Sequence, residues 1–495
     1  MRIKNWKALY YWASLTVALA LGGGCVLDLY GEAPVDQSIY YPVSMASSQD
    51  GKHLYVLSSN YDQRFNTGWV SVVDVDAVLE RNGDVAATST PLITRAAGGQ
   101  VSVLNLGGML ALDSSGEHLL VSHRGQNHLS QTRLSWIDIG DGGGSIACGD
   151  ADFTGDMTAQ EGKTDCDEGH IVRIEEDGGD DTNPDYTTDV EFRENQFENA
   201  LSIASFDLKS DDGTSRSMMA VGFVSSGYVR LYEIIDGNPV FVETLDAALT
   251  GGGQMVYREI AGDQYLLVGG RGIDGDAVAA LDLTESLNED DAVTYAAGLE
   301  GLVAASVLGL DASPTGERIY VGSGDPRPGF EGVADVLAVL DGTAILTNEH
   351  TSNDLVGESV VRPSLDVVSV EPLLGRPSAV RYVARGPDAL GNARDDLVVV
   401  SAFDGDALYI FVPTPEGARP VARIELDTRS SDQQGVGQGP FSIEVLEREG
   451  RILLFVANFF EHSLSVFDLS AASPSDFWQV AKVQNETIDT TDIRR

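Results

Sequence analysis

Hydrophobic residues in this chain fall in short blocks, not in a helical rhythm. The first block, Leu54-Tyr55-Val56-Leu57, follows the turn-forming run Ser48-Gln49-Asp50-Gly51-Lys52 and precedes a second block, Val70-Ser71-Val72-Val73, which ends at Asp74. β-Branched and aromatic residues fill both blocks. Asp50-Gly51 between apolar arms is a hairpin signal, because the dipeptide supplies the positive φ angles of a tight turn. The pattern predicts a strand ending near Ser47, a turn, a second strand, a loop and a third strand.

This unit is written seven times from Tyr40 onward. The second copy runs over 109–122 and closes at Leu134-Ser135-Trp136-Ile137-Asp138. Later copies place their second and third strands at 218–222 and 228–232, 265–269 and 277–282, 319–322 and 336–341, 397–401 and 407–411, and 452–458 and 463–468. An outer fourth strand follows in most units, with candidates at 240–245, 421–426 and 479–484. Four short antiparallel strands per repeat predict an all-β, seven-bladed β-propeller. The second strands, such as Val398-Val399-Val400, are apolar on both faces, as strands covered on both sides must be. Small residues close them (Ser58, Ser122, Gly222, Gly269, Gly322, Ser401, Ala457), which suggests crowding near the ring axis. A β-sandwich alternates apolar and polar positions and does not repeat one unit seven times.

Asp50-Gly51-Lys52-His53-Leu54-Tyr55-Val56 with Val70-Ser71-Val72-Val73-Asp74 resembles the repeats of YVTN or YncE-like propellers of secreted bacterial proteins. Ser313-Pro314-Thr315-Gly316 with Ile319-Tyr320-Val321 is similar to them too. The resemblance is clear in blades one, two, five and seven and looser in three, four and six. It covers roughly 40–485. It implies the propeller fold and an extracytoplasmic setting, but little about activity, since fold does not settle function. The expected organisation is a signal peptide over 1–24, a tether over 25–39, the propeller over 40–485 with an acidic insertion at 141–170 in blade two, and a polar tail over 486–495.

Charge narrows the partners. The 495 residues carry 76 acidic and 32 basic side chains, a net charge of −44, and only six of the basic residues are Lys. A phosphate footprint, and with it nucleic acid binding, is not expected. The acids serve either as a solubilising surface or as a store of carboxylates for divalent cations.

Arg2, Lys4 and Lys7 precede the mostly apolar run 8–21, which is too short to span a bilayer and reads as a secretory signal. Gly22-Gly23-Gly24-Cys25 resembles a bacterial lipoprotein cleavage site with Cys25 lipidated, holding the protein to a membrane surface. Leu21 lies four residues before the Cys, where that pattern places it three before; ordinary cleavage nearer Ala20 is the other reading. Lipidation of Cys25 would leave Cys148 and Cys166 to pair in an oxidising compartment.

Between those two cysteines lies Asp150-Ala151-Asp152-Phe153-Thr154-Gly155-Asp156-Met157-Thr158-Ala159-Gln160-Glu161. It matches a twelve-position calcium loop of EF-hand type. Asp150, Asp152 and Thr154 fall at positions one, three and five, Gly155 at the bend, and Glu161 at the bidentate twelfth. Asp156 would offer its carbonyl, and Thr158 would act directly or through water. Thr154 is a weak fifth ligand, and Gly142-Gly143-Gly144 would break any helix before the loop, so an acidic loop without metal is the alternative.

Loops between second and third strands open on one face of such a ring. They carry Arg64, Arg124, Arg271 and Arg327, with Tyr61, Phe65, His123, His128, Phe330, Phe459, Phe460 and His462. Arginines paired with aromatics suit an anionic or carbohydrate ligand, or an envelope protein bearing such groups. Pairing of these arginines with local acids such as Asp62 and Asp325 is the competing reading. His123, Arg124 and His128 would be the acid–base groups of a lactonase-like hydrolase. No Gly-x-Ser-x-Gly elbow, redox CxxC or haem-attaching CxxCH accompanies them. The expectation is a non-catalytic binding or scaffold module.

Overall fold

The second strand of each repeat explains the architecture. In His53–Ser58, Leu54 and Val56 pack into a core shared with blade seven, while Tyr55 and Leu57 pack into a core shared with blade two. In Arg451–Asn458, Leu454 and Val456 face blade six, while Leu453, Phe455 and Ala457 face blade one. Successive strand residues point to opposite faces, so an unbroken apolar run feeds two cores at once. A core fills each junction between neighbouring blades, seven in all among the described residues.

The computed structural model describes residues 38–484 apart from 63–64, 66, 81–98, 124–131, 150–165, 175–199, 211–212, 225, 248, 272–275, 284–293, 299–305, 325–334, 348, 354–358, 364, 388–390 and 427–438. It is a seven-bladed β-propeller. The first strands of the blades are Pro42–Ser47, Gly107–Leu112, Ala200–Lys209, Thr250–Ile260, Ser306–Ala312, Pro377–Val383 and Pro440–Arg448. Each pairs antiparallel with the second strand of its blade. The fourth strands expected at 240–245, 421–426 and 479–484 are Asn238–Asp246, Gly417–Glu425 and Trp478–Gln484.

Every blade is one contiguous stretch of chain, including blades one and seven. The ring therefore closes through side chains. Glu444 of blade seven accepts from Ser47 Oγ at 2.9 Å, and His462 Nδ1 accepts from the Tyr41 amide at 2.8 Å. Similar stitches join other neighbours: Ser122 Oγ donates to Leu201 O, Gln254 Oε1 accepts from Leu310 N, and Asp311 accepts from Arg258 and from Tyr382 N.

Three sequence patterns acquire physical reasons. The first turn is not a two-residue hairpin. Ser48 N bonds His53 O, Gly51 N bonds Ser48 O, and only Gly51, at φ 67°, is left-handed. The turn thus spans four residues, and Ser48 Oγ stabilises it by accepting from His53 N at 3.0 Å. Asp113 and Ser313 repeat that role in blades two and five. Second, the Asp that ends third strands caps the segment after it. Asp74 accepts from Ala77 N at the start of the helix Val75–Glu80, Asp341 from Thr343 N, and Asp468 from Ser470 N. Third, the small residues ending second strands make room for the next blade, not for the axis. A Cβ on Gly269 would meet Val307 Cγ1 at 2.4 Å, and one on Gly322 would meet Pro377 and Val380 at 3.0 Å.

Blade two leaves its third strand, Thr132–Ile139, and returns to it. Ile146–Ala147 pairs near its end and Ile171–Ile174 pairs along its start, the latter at the position expected for the outer strand. Cys148 and Cys166 are disulfide-bonded with Cα atoms 4.3 Å apart, closing the base of the insertion. Blade five carries an insertion that the repeat pattern did not reveal. The 3-10 turn Gly342–Leu346 and a hairpin of Glu349–Asn353 with Ser359–Pro363 precede its fourth strand, Asp366–Pro372.

Candidate binding mouth of the central channel

The first strands of all seven blades enclose a cavity of about 750 Å³. One mouth opens among the loops that follow second strands and precede first strands. Tyr61, Phe459 and Phe460, all from such loops, line it, as does Phe441 at the start of the first strand of blade seven. Phe403 and Arg376 of blade six complete the rim.

These rings form one continuous cluster, in which Tyr61 is exposed, Phe403, Phe441 and Phe460 are half-buried and Phe459 is buried. Phe403 lies 5.2 Å from Phe460 and 6.0 Å from Phe459, Phe441 lies 5.5 Å from Phe459, and Tyr61 lies 5.5 Å from Phe459. The contacts are edge-to-face, tilted and stacked, at separations typical of favourable aromatic pairs. Tyr61 is 60% exposed and leans on Tyr41 and Phe459. Arg376 lies over the Phe403 ring at 5.3 Å, and its Nε is 3.5 Å from Asp404 Oδ2. The Arg376 carbonyl accepts from Phe403 N, fixing both residues in one frame. Burial raises the Asp335 carboxyl, Asp404 adds to that, and Arg376 opposes it. Beneath the rim, burial and the nearby Asp62 push Tyr41 up to about 12.

The far end of the channel sets one charged pair among apolar side chains such as Leu112 and Met255. Arg381 and Glu444 line it with their guanidinium and carboxylate 3.8 Å apart. Burial raises the Glu444 carboxyl, and Arg381 and Ser47 oppose that. Among the described residues that line the cavity there is no histidine or cysteine.

Of the site residues expected from sequence, His123 is placed differently from the expectation. It ends the second strand of blade two, 2% exposed, with Nε2 2.8 Å from Ser135 Oγ. Burial pushes its imidazole down to about 3, so it is neutral at physiological pH and faces a core serine, not a ligand. Phe65 and His462 are also core: Phe65 packs edge-on against Trp69 at 5.4 Å, and His462 stacks on Tyr40 at 4.3 Å. The backbone of Arg271 ends the second strand of blade four and pairs with Thr250 and Ser306, while its side chain lies outside the described part. Arg64, Arg124, His128, Arg327 and Phe330 lie outside the described residues, as do Cys25 and the six calcium-loop residues Asp150, Asp152, Thr154, Asp156, Thr158 and Glu161.

Sequence reading found Tyr61, Phe459 and Phe460 but missed Phe403, Phe441 and Arg376. Phe403 was within reach: it follows Val400-Ser401-Ala402 as Phe459 follows Val456-Ala457-Asn458. Arg376 and Phe441 enter from the other loop set, which the strand pattern gave no reason to inspect.

No protein-family model matches the chain, and no curated protein does. Similar solved structures include Sqt1 of Chaetomium thermophilum, at 11% identity over 91% of this chain and 87% of that one, with a TM-score of 0.47. They also include the periplasmic gluconolactonase PpgL of Pseudomonas aeruginosa, at 15% identity over 89% and 98%, with a TM-score of 0.44. A protein from Lactobacillus plantarum is similar at 14% identity over 78% and 84%, with a TM-score of 0.43.

Proposed function

We propose that this chain is a non-catalytic binding propeller of the bacterial cell envelope, of the YVTN or YncE-like kind. It would be exported by the 1–24 signal, held to a membrane by lipid on Cys25, and would take an anionic or carbohydrate ligand at its channel mouth. The observation that carries this reading is the cluster of Tyr61, Phe403, Phe441, Phe459 and Phe460 with Arg376 beside it. Aromatic faces stack on flat apolar surfaces such as those of sugar rings, and a guanidinium gives bidentate contacts to carboxylate or phosphate. Asp404 would exchange its place on Arg376 for the ligand's anion. His123 faces Ser135 in the core, which weighs against the hydrolase reading built on His123, Arg124 and His128.

The test is an array of neutral and uronate-bearing oligosaccharides probed with wild type and a Tyr61→Ala, Arg376→Ala double variant. Binding to a uronate-bearing probe should weaken by at least about tenfold, the scale of one interface anchor. The melting temperature should hold, because Tyr61 is exposed. Equal binding by both proteins would reject the mouth as the site.

Calcium in the 150–161 loop belongs to the same proposal, supported by the ligand spacing and by the disulfide that closes the segment around it. At a dissociation constant of about 10⁻⁴–10⁻³ M, roughly 10 mM calcium should stabilise the folded chain by about 1.4–2.7 kcal/mol. Glu161→Gln should blunt the rise in melting temperature. No rise in either protein would remove the ion from the proposal.

A further inference from the structure

Where the insertion of blade two comes back to the propeller, five side chains form an alternating row of carboxylates and imidazoles. His118 Nδ1 lies 3.1 Å from Asp113 Oδ2, and its Nε2 lies 3.7 Å from Asp138 Oδ1. His170 Nε2 lies 3.1 Å from Asp138 Oδ2, and its Nδ1 lies 2.6 Å from Asp167 Oδ1. Asp113, His118 and Asp138 belong to the blade. Asp167, one residue past the disulfide, caps the 3-10 turn Glu168–His170, which His170 ends. His118 is held flat against Trp136 at 4.7 Å, and the blade-three turn covers it: a Cβ on Gly237 would meet His118 Cε1 at 3.3 Å.

Both nitrogens of each ring face a carboxylate. A neutral imidazole has one N–H and one lone pair, so it satisfies one carboxylate and repels the other; the doubly protonated ring satisfies both. Asp138, shared by the two rings, makes the contact of this row that joins blade to insertion, to His170. We propose that His170, with Asp138 and His118 behind it, is a proton-operated latch that seats the 3-10 turn Glu168–His170 and the strand Ile171–Ile174 on blade two and lets them go as the medium turns alkaline. The acids facing the latch are Asp113, Glu117 and Asp138 around His118, and Asp138 and Asp167 around His170.

The titration behaviour agrees with the geometry. The hydrogen bond His118 donates to Asp113 raises its value against the cost of burial. Burial opposes the charged form of His170, but Asp167 and Asp138 outweigh it and its value is raised. A raised folded-state value contributes stability that is complete below the ordinary imidazole value of about 6.5 and is lost as pH climbs through the raised one. Release does not unfold the ring, because the third strand of blade two keeps its pairing to the second. The disulfide and the bond from Asp167 N to Cys148 O keep the base of the insertion closed, so the freed part is the 3-10 turn and the short strand Ile171–Ile174.

Native-state hydrogen exchange of the full chain tests this, with EDTA present to exclude any calcium effect. Protection over 167–174, corrected for intrinsic exchange, should fall at least about tenfold between pH 5.5 and pH 9 in wild type, the scale of one lost charge-assisted hydrogen bond. Protection over 452–458 should not change. His170→Gln, which keeps a neutral donor, should show low protection at both pH values, and His118→Gln should reduce the pH dependence. A purely structural contact would lower protection in these variants but leave no pH dependence to lose. Wild-type protection that is equal at both pH values would overturn the latch, as would His170→Gln retaining the wild-type dependence.

Discussion

Phe455→Ala is expected to destabilise the ring by about 3–5 kcal/mol, the largest loss of any single truncation at the closing seam. Phe455 is fully buried in the second strand of blade seven and points toward blade one. It packs in one core with Leu54, Val56 and Val73 of blade one and Leu453 and Val466 of blade seven. No strand crosses between these blades, so the seam rests on this core and on a few polar contacts. The bidentate pair Arg448–Asp76 at 2.8 Å lies at the surface, its guanidinium 19% and its carboxylate 44% exposed, and adds less than the core. Removing the ring leaves a void bounded by strands that are pinned by their own pairing and cannot collapse into it. The measurement is a urea midpoint that falls while the slope stays unchanged. A loss below about 1 kcal/mol would show that the seam does not depend on its apolar core. Val240→Ala, at an exposed position on the outer strand of blade three, should stay within about 0.5 kcal/mol and serves as the control.

The ring was legible because its signal is written many times over. A strand with two buried faces can be apolar at every position, and seven such strands at regular spacing leave few other architectures. Turn chemistry was legible in kind but not in length: Asp50-Gly51 suggested a two-residue hairpin, whereas the serine two residues earlier closes a longer turn. The channel mouth was only half legible. Loops after second strands could be located, and they supplied Tyr61, Phe459 and Phe460. Which side chains in a loop reach the axis depends on backbone direction at single residues such as His462 and Asp406, both left-handed. Those two positions turn one histidine into the core and bring the Asp406 carboxylate under Gly439 N. The latch histidines lie fifty-two positions apart in sequence, and nothing in the local pattern around His118 or His170 marks them as neighbours.

Arg385→Met is expected to cost about 3–5 kcal/mol, and Arg385→Lys to recover only a small part of it. Arg385 is 4% exposed, in the segment between the first and second strands of blade six. Its Nε donates to Asp395 O at 2.6 Å, and its Nη1 donates to Leu469 O at 3.2 Å and to Ala471 O at 2.9 Å. The guanidinium lies 5.6 Å from the Phe477 ring, and its own amide donates to Asp396. One side chain therefore satisfies three carbonyls on two blades. Burial lowers its pKa and the nearby Arg394 adds to that, while Asp395 and Asp396 oppose it; a guanidinium still keeps its charge. Methionine fills the volume but leaves those carbonyls without donors, each costing about 1–3 kcal/mol. Lysine brings its donors to a single point and cannot reach acceptors spread around a planar fork. The loss would appear as a lower urea midpoint, with faster exchange over 469–471. If Arg385→Lys matched wild type, the three carbonyls would have to be served by water, and the arginine would be only one of several ways to join blades six and seven.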